Sequence, residues 1–240
     1  GGSQAACTKA ILCQGTFAVI IGGEVKSVYK NILFDFDGTV FDTVEGITKS
    51  AQYALKKQGI EASLEELRCF AGPPLVDKFM EVYGFDRETA EQATRDFKAR
   101  YVPIGVHECQ VFPGIKQLLQ DLGDRGFRIG IATSKPQVLA EQLLAQENMT
   151  ELFMVICGSS SDGNNSAKWQ VLKRAMEELG AKPEDTVLVG DTKYDVEGAR
   201  LCGVPCIGVA YGYAAPGELE QAGAVTIARD MDELLEILSR

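Results

Sequence analysis

Among 240 residues the chain has one histidine and one tryptophan. His107 lies outside every patterned segment, so the sequence argues against chemistry centred on histidine. Basic residues are also scarce: 24 Lys and Arg stand against 34 Asp and Glu, a net charge of −10 with a pI near 4.8. A nucleic-acid polymer needs a basic face to neutralise its phosphates, and such a partner is therefore not expected. One lysine together with a divalent cation suffices for one small anion. No apolar run reaches the length of a membrane span, so no membrane partner is expected either. Seven cysteines, an odd number without C-x-x-C spacing, read as reduced, buried thiols and set the expectation of a cytoplasmic protein.

With 45% hydrophobic residues the chain can bury one large core or two smaller ones. Its most informative stretch is Ile32-Leu33-Phe34-Asp35-Phe36-Asp37-Gly38-Thr39-Val40-Phe41-Asp42-Thr43. An apolar run ends there in two carboxylates spaced two apart. Side chains alternate along a strand, so Asp35 and Asp37 start on one face. Anions held side by side call for a divalent cation, a shared proton, or both. Gly38 lets the backbone turn sharply and approach a ligand. This profile suits phosphoryl transfer.

Three further segments carry chemistry-bearing residues at strand ends or helix starts. Phe127 to Thr133 reads as a strand that ends in Thr133-Ser134 before a helix. Lys168 opens the helical pattern Lys168 to Leu179, with Trp169 beside it either packing or lining an entrance. Thr186 to Gly190 reads as a strand followed by Asp191 and, four residues on, Asp195. Each has an ordinary reading alone: a helix N-cap for Thr133-Ser134, a solvated lysine, a plain turn at Gly190-Asp191, a helix start at Asp195. Jointly they point to one place, because the carboxyl ends of strands in an open α/β sheet converge on one crevice.

The run Asp35-Phe36-Asp37-Gly38-Thr39, followed in order by Thr133, Lys168 and Asp191 with Asp195, resembles the motif series of the haloacid dehalogenase-like superfamily. Phe70-Ala71-Gly72-Pro73-Pro74-Leu75 and Val111-Phe112-Pro113-Gly114-Ile115 resemble its phosphoglycolate phosphatase-like branch. The resemblance implies an Mg²⁺-dependent phosphatase acting on a small phosphorylated metabolite through an aspartyl-phosphate. It implies Asp35 as nucleophile, Asp37 as acid and base, and Thr133 and Lys168 as phosphate-binding catalytic residues. Gly38 and Ser134 complete the phosphate site. Asp35, Asp191 and the carbonyl of Asp37 ligate the metal, and Asp195 orients Lys168 and the metal shell. The same scaffold accommodates a β-phosphoglucomutase-like sugar-phosphate mutase, an inorganic pyrophosphatase or a nucleotidase. A phospho-Asp receiver domain is the non-enzymatic alternative, although it needs no inserted helical segment and no counterpart of Asp37. The stretch Ser161 to Ser166, neutral apart from Asp162, lacks the basic residue that relatives often carry there, which weighs against pyrophosphate.

Strand and helix patterns alternate along the chain, which predicts an α/β fold with a doubly wound parallel sheet. Strands are expected at 127–133, 153–157, 186–190, 205–209 and 224–228. Helices are expected at 114–123, 136–147, 167–180, 194–202 and 231–239. Between the first two motifs only helical patterns occur, over 45–58, 63–70, 75–83 and 87–101, with a capping box at Ser63 and Glu66. The expected division is a catalytic core of residues 28–43 and 112–240, a helical cap of 44–111, and an appendage of 1–27 whose role the sequence leaves open. Within the appendage Gly22-Gly23 suits a hairpin turn, and no basic start or small-residue cleavage site suggests a signal peptide. Asp42 and Thr43 read as part of a flap after the first strand. Monomer and homodimer remain equally open, as does the identity of the substrate.

Overall fold

A computed structural model of the chain describes residues 9–13, 16–21, 24–27, 29–160 and 166–239. It opens with strands β1 (Lys9–Cys13), β2 (Thr16–Ile21) and β3 (Glu24–Ser27), an antiparallel meander. Ile21 pairs with Glu24; Gly22-Gly23, where a hairpin turn is expected, lie outside the described residues. Then come β4 (Asn31–Phe34), β5 (Phe41–Asp42), helices α1 (Val44–Lys57), α2 (Leu75–Tyr83) and α3 (Arg87–Tyr101), and β6 (Gln110–Val111). The remainder alternates: α4 (Ile115–Asp124), β7 (Arg128–Pro136), α5 (Gln137–Gln146), β8 (Val155–Ser159), α6 (Lys168–Leu179), β9 (Thr186–Gly190), α7 (Lys193–Leu201), β10 (Cys206–Val209), α8 (Glu218–Ala222), β11 (Thr226–Ala228) and α9 (Met231–Ser239).

Six strands form one sheet in the order β11-β10-β9-β4-β7-β8, every pairing parallel. β4 sits at its centre and is buried along its whole length. Both faces of a parallel sheet are covered, so Ile32-Leu33-Phe34 has no polar alternation to show. Its side chains still divide by face. Ile32 and Phe34 pack with Leu118, Leu143 and Leu234, from α4, α5 and α9. Leu33 packs with Leu172, Ala175 and Ala199, from α6 and α7. This is the doubly wound arrangement that the alternation predicts.

The helical segment leaves and rejoins the sheet through a short ribbon in which Phe41 pairs with Val111 and Asp42 with Gln110. Asp86 caps α3 by accepting from the Thr89 N–H at 2.8 Å, while Gly84 ends α2 in the left-handed conformation. The Ser63–Glu66 capping box forms, with Glu66 Oε2 2.8 Å from Ser63 N and 2.6 Å from its hydroxyl. The element it caps is only a 3₁₀ turn, Glu66–Phe70, because Gly72 at a φ of +102° and Pro73-Pro74 prevent it from continuing.

Two other expectations are corrected. β7 runs to Pro136 rather than ending at 133, because Gly158 lets β8 pass closely; a Cβ there would lie 2.6 Å from the Lys135 carbonyl oxygen. Nor are all the thiols buried: Cys157 and Cys206 are, Cys109 and Cys202 are half-buried, and Cys69 is exposed on the 3₁₀ turn. Ser161–Asn165 lie outside the described residues. Among those described, no helix is long and apolar enough to cross a membrane.

Candidate active site

β4, β7 and β9 are neighbours, with Phe34 opposite both Ile131 and Val189. The residues that come after these positions therefore emerge together at the carboxyl edge. Asp35 comes directly after β4, Thr133 lies in the last part of β7, and Asp191 directly follows β9. Carboxylate oxygens of Asp35, Asp191 and Asp195 lie within 4.8 Å of one another. Lys168, the first residue of α6, reaches across to them. Its Nζ is 2.5 Å from Asp35 Oδ1, 2.9 Å from Asp195 Oδ1 and 3.0 Å from the Ala132 carbonyl oxygen. All four side chains are buried.

Asp195 serves two purposes. Its Oδ2 accepts from the backbone N–H and hydroxyl of Thr192, at 3.0 and 2.9 Å, capping α7. Its other oxygen faces Lys168. The ordinary reading as a helix-start residue and the reading as an orienting carboxylate are both realised. Asp191 is held by the Tyr213 N–H at 2.8 Å and by the Thr39 hydroxyl at 3.4 Å.

Three buried carboxylates against one ammonium leave an excess of negative charge. Burial, reinforced by Asp195, pushes Asp35 from 3.8 up to about 7, although Lys168 pulls the other way. Burial, Asp195 and Asp35 likewise hold Asp191 well above the usual carboxylate range. Burial pulls the Lys168 ammonium down, but Asp195 and Asp35 outweigh it and raise it above an ordinary lysine.

Gly38 is needed for packing as well as for its turn. At a φ of +81°, a Cβ there would stand 2.1 Å from Asp191 Oδ2. Thr133 is buried, and its hydroxyl accepts from the Lys135 N–H at 3.2 Å. Ser134 faces the other way and lines a cavity of about 760 Å³ between the sheet edge and the helical segment. Trp169 also lines it. His107 is exposed in a 3₁₀ turn, apart from the site.

Sequence reasoning missed Lys135. Its side chain is buried, with Nζ 3.1 Å from Asp37 Oδ1 and 2.5 Å from the Tyr101 hydroxyl of α3. The ammonium also lies over the rings of Tyr101 and Phe36. Burial acts to lower it, yet Asp37 and Tyr101 prevail and raise it above the ordinary lysine range. Period-two alternation was the available signal, since residues 133 and 135 share a face once the strand is allowed to continue. Tyr213 was missed as well. Its hydroxyl lies 3.0 Å from Asp42 Oδ1 and 2.6 Å from Thr43 N, tying the expected flap to the loop that grips Asp191. Gly212 permits that grip, because a Cβ there would meet Asp191 Cβ at 2.2 Å.

Comparison with known proteins shows the family and agrees with the fold. A 5′-nucleotidase of Pseudomonas aeruginosa is 39% identical over 211 residues, spanning 88% of this chain and 96% of that protein. The tyrosine-protein kinase PtkA of Mycobacterium tuberculosis is 35% identical over 210 residues, 86% of this chain and 72% of its own. Among solved structures, a predicted phosphatase from Clostridium acetobutylicum superimposes with a TM-score of 0.84 at 44% identity, covering 88% of this chain and 98% of that one. The family model for haloacid dehalogenase-like hydrolases matches residues 32–209. That span holds five of the six parallel strands together with Asp35, Thr133, Lys168, Asp191 and Asp195, and the chain belongs to the haloacid dehalogenase-like hydrolase family.

Proposed function

We propose that the chain is an Mg²⁺-dependent phosphatase of small phosphomonoesters and that Asp35 is its nucleophile. The observation that carries this reading is the position of the Lys168 ammonium between Asp35 and Asp195, 2.5 and 2.9 Å away, inside a cluster of three carboxylates. The donor set is all oxygen and carries surplus negative charge, which suits a hard divalent cation. Asp35, Asp191 and the backbone carbonyl of Asp37 would hold it. When bound, Mg²⁺ neutralises the cluster and polarises the substrate phosphate.

The protein's own groups then divide the work. The Asp35 carboxylate attacks phosphorus as the bond to the leaving oxygen breaks, and Asp37 delivers a proton to that oxygen. In the second half Asp37 takes a proton from water, whose oxygen attacks the phosphorus of the aspartyl-phosphate and returns Asp35. Lys168 offsets charge on phosphate and nucleophile, while Gly38, Thr133 and Ser134 complete the phosphate site. Lys135 keeps Asp37 in place through their ion pair. Phosphoryl transfer is catalysed mainly by this kind of positioning and charge stabilisation. We further propose that residues 44–111 act as a cap over this edge, excluding water and selecting the substrate.

Phosphate release from a panel of phosphorylated metabolites tests the reading. Activity should vanish in EDTA, return with Mg²⁺ and be absent from Asp37→Asn. Full activity without any divalent cation, or a wild-type rate in Asp37→Asn, would overturn it.

A further inference from the structure

The cavity of about 760 Å³ at the sheet edge has Asp37 and Lys168 in its floor. Its volume lies in the range of small-molecule sites. The surroundings of the floor are mostly apolar and rich in rings: Phe70, Leu75, Phe97, Tyr101 and Leu139 are wall residues. The mouth is apolar too. Val102, Val138, Trp169 and Leu201 are 49%, 55%, 42% and 70% exposed, and all four line this cavity. Large exposed apolar residues gathered at one opening mark a binding surface rather than scattered surface hydrophobics.

Two of the three lysines that line the cavity are already ion-paired. Lys168 is held by Asp35 and Asp195, and Lys135 by Asp37 and the Tyr101 hydroxyl. At the exposed mouth Lys98 and Glu197 are of opposite sign. Away from the solvated Lys98 at the mouth, a second anionic group on the substrate, such as the carboxylate of phosphoglycolate or the far phosphate of pyrophosphate, would have to displace Asp37 from Lys135. Otherwise it would be desolvated against Phe and Leu side chains, which is unfavourable for an unpaired charge.

Trp169 directly follows Lys168 in α6, and its indole makes no ring contact with another described aromatic. A half-exposed indole beside the phosphate-binding lysine is a platform for a flat ring. Thr94 adds a hydroxyl to the same wall for a polar, uncharged connector such as a sugar. We infer that the substrate is a nucleoside 5′-monophosphate, its phosphate on the floor beside Lys168 and its base against Trp169 within the apolar mouth. The inference rests on the phosphatase reading above and narrows it from any small phosphomonoester to one whose leaving group carries an aromatic ring and no second charge.

The decisive comparison is a purine and a pyrimidine nucleoside 5′-monophosphate against ribose 5-phosphate, the same phosphate and sugar without the base, with phosphoglycolate alongside. Base-on-aromatic stacking predicts kcat/KM at least about tenfold higher for the nucleotide than for either small ester. Trp169→Ala should remove about tenfold from the nucleotide and leave ribose 5-phosphate within twofold. Because Trp169 is the only tryptophan, binding can also be read without turnover. In Asp35→Asn with Mg²⁺, the nucleotide should quench its fluorescence and ribose 5-phosphate should not. Equal rates for nucleotide and ribose 5-phosphate, or absence of a selective quench, would overturn the inference while leaving the phosphatase reading intact. No phosphate release from any ester, with the quench preserved, would instead overturn the phosphatase reading alone.

Discussion

Replacing Asp35 by Asn should abolish turnover and at the same time stabilise the metal-free fold. The carboxyl of Asp35 moves from 3.8 to about 7 on folding, so in the folded protein without metal its charged form is disfavoured by about 4 kcal/mol. The sign is set by linkage. A carboxyl whose folded pKa is raised gives stability below the unfolded pKa, near 4, and loses it as pH rises through about 7. Asn, which cannot ionise, escapes the loss while still accepting from Lys168. The variant's advantage should therefore be about 2 kcal/mol at pH 5 and about 4 kcal/mol at pH 8. For a chain of this size that is roughly 8–15 °C in Tm at the higher pH. Thermal unfolding of both proteins in EDTA at pH 5 and pH 8 measures it. A variant no more stable than wild type at pH 8, or an advantage that shrinks with pH, would refute the charge-excess argument.

Two further outcomes are expected of the same groups. Mg²⁺ competes with protons for the carboxylates, so its affinity should rise by at least about tenfold per pH unit between pH 5 and 7; calorimetric titration giving a flat profile would contradict this. Lys135→Met strips Asp37 of its ion-pair partner at 3.1 Å and should lower kcat by about 10²-fold with KM within threefold, whereas Tyr101→Phe, losing one hydrogen bond to the same ammonium, should cost kcat only about five- to tenfold. Steady-state kinetics in which Lys135→Met changes KM alone would remove Lys135 from a positioning role.

The parallel sheet was legible because its strands are buried on both faces and read as unbroken apolar runs, Ile32-Leu33-Phe34 most clearly. The bounds of α2, α3 and α9 are set by their stops and caps: Gly84, Asp86 and the chain's last apolar period. The 63–70 pattern misleads because its capping box is real, yet Gly72-Pro73-Pro74 stops it at a single 3₁₀ turn. α8 has only five residues, too few to show a helical period. Within the site, Lys135 was hidden by ending its strand three residues early, and nothing local marks Pro136 as still paired with Ser159. Tyr213 and Gly212 grip Asp191 from the loop after β10, a long-range contact that no local pattern encodes.

The claim on which the mechanism turns is that Asp35 itself carries the phosphoryl group. Enzyme quenched in acid during turnover and reduced with borohydride converts an acyl-phosphate aspartate to homoserine, which peptide mass spectrometry locates. The account predicts homoserine at position 35 and at no other aspartate, dependent on Mg²⁺ and substrate. Continued phosphate release with residue 35 unmodified, or with the label at Asp37, Asp191 or Asp195, would contradict it.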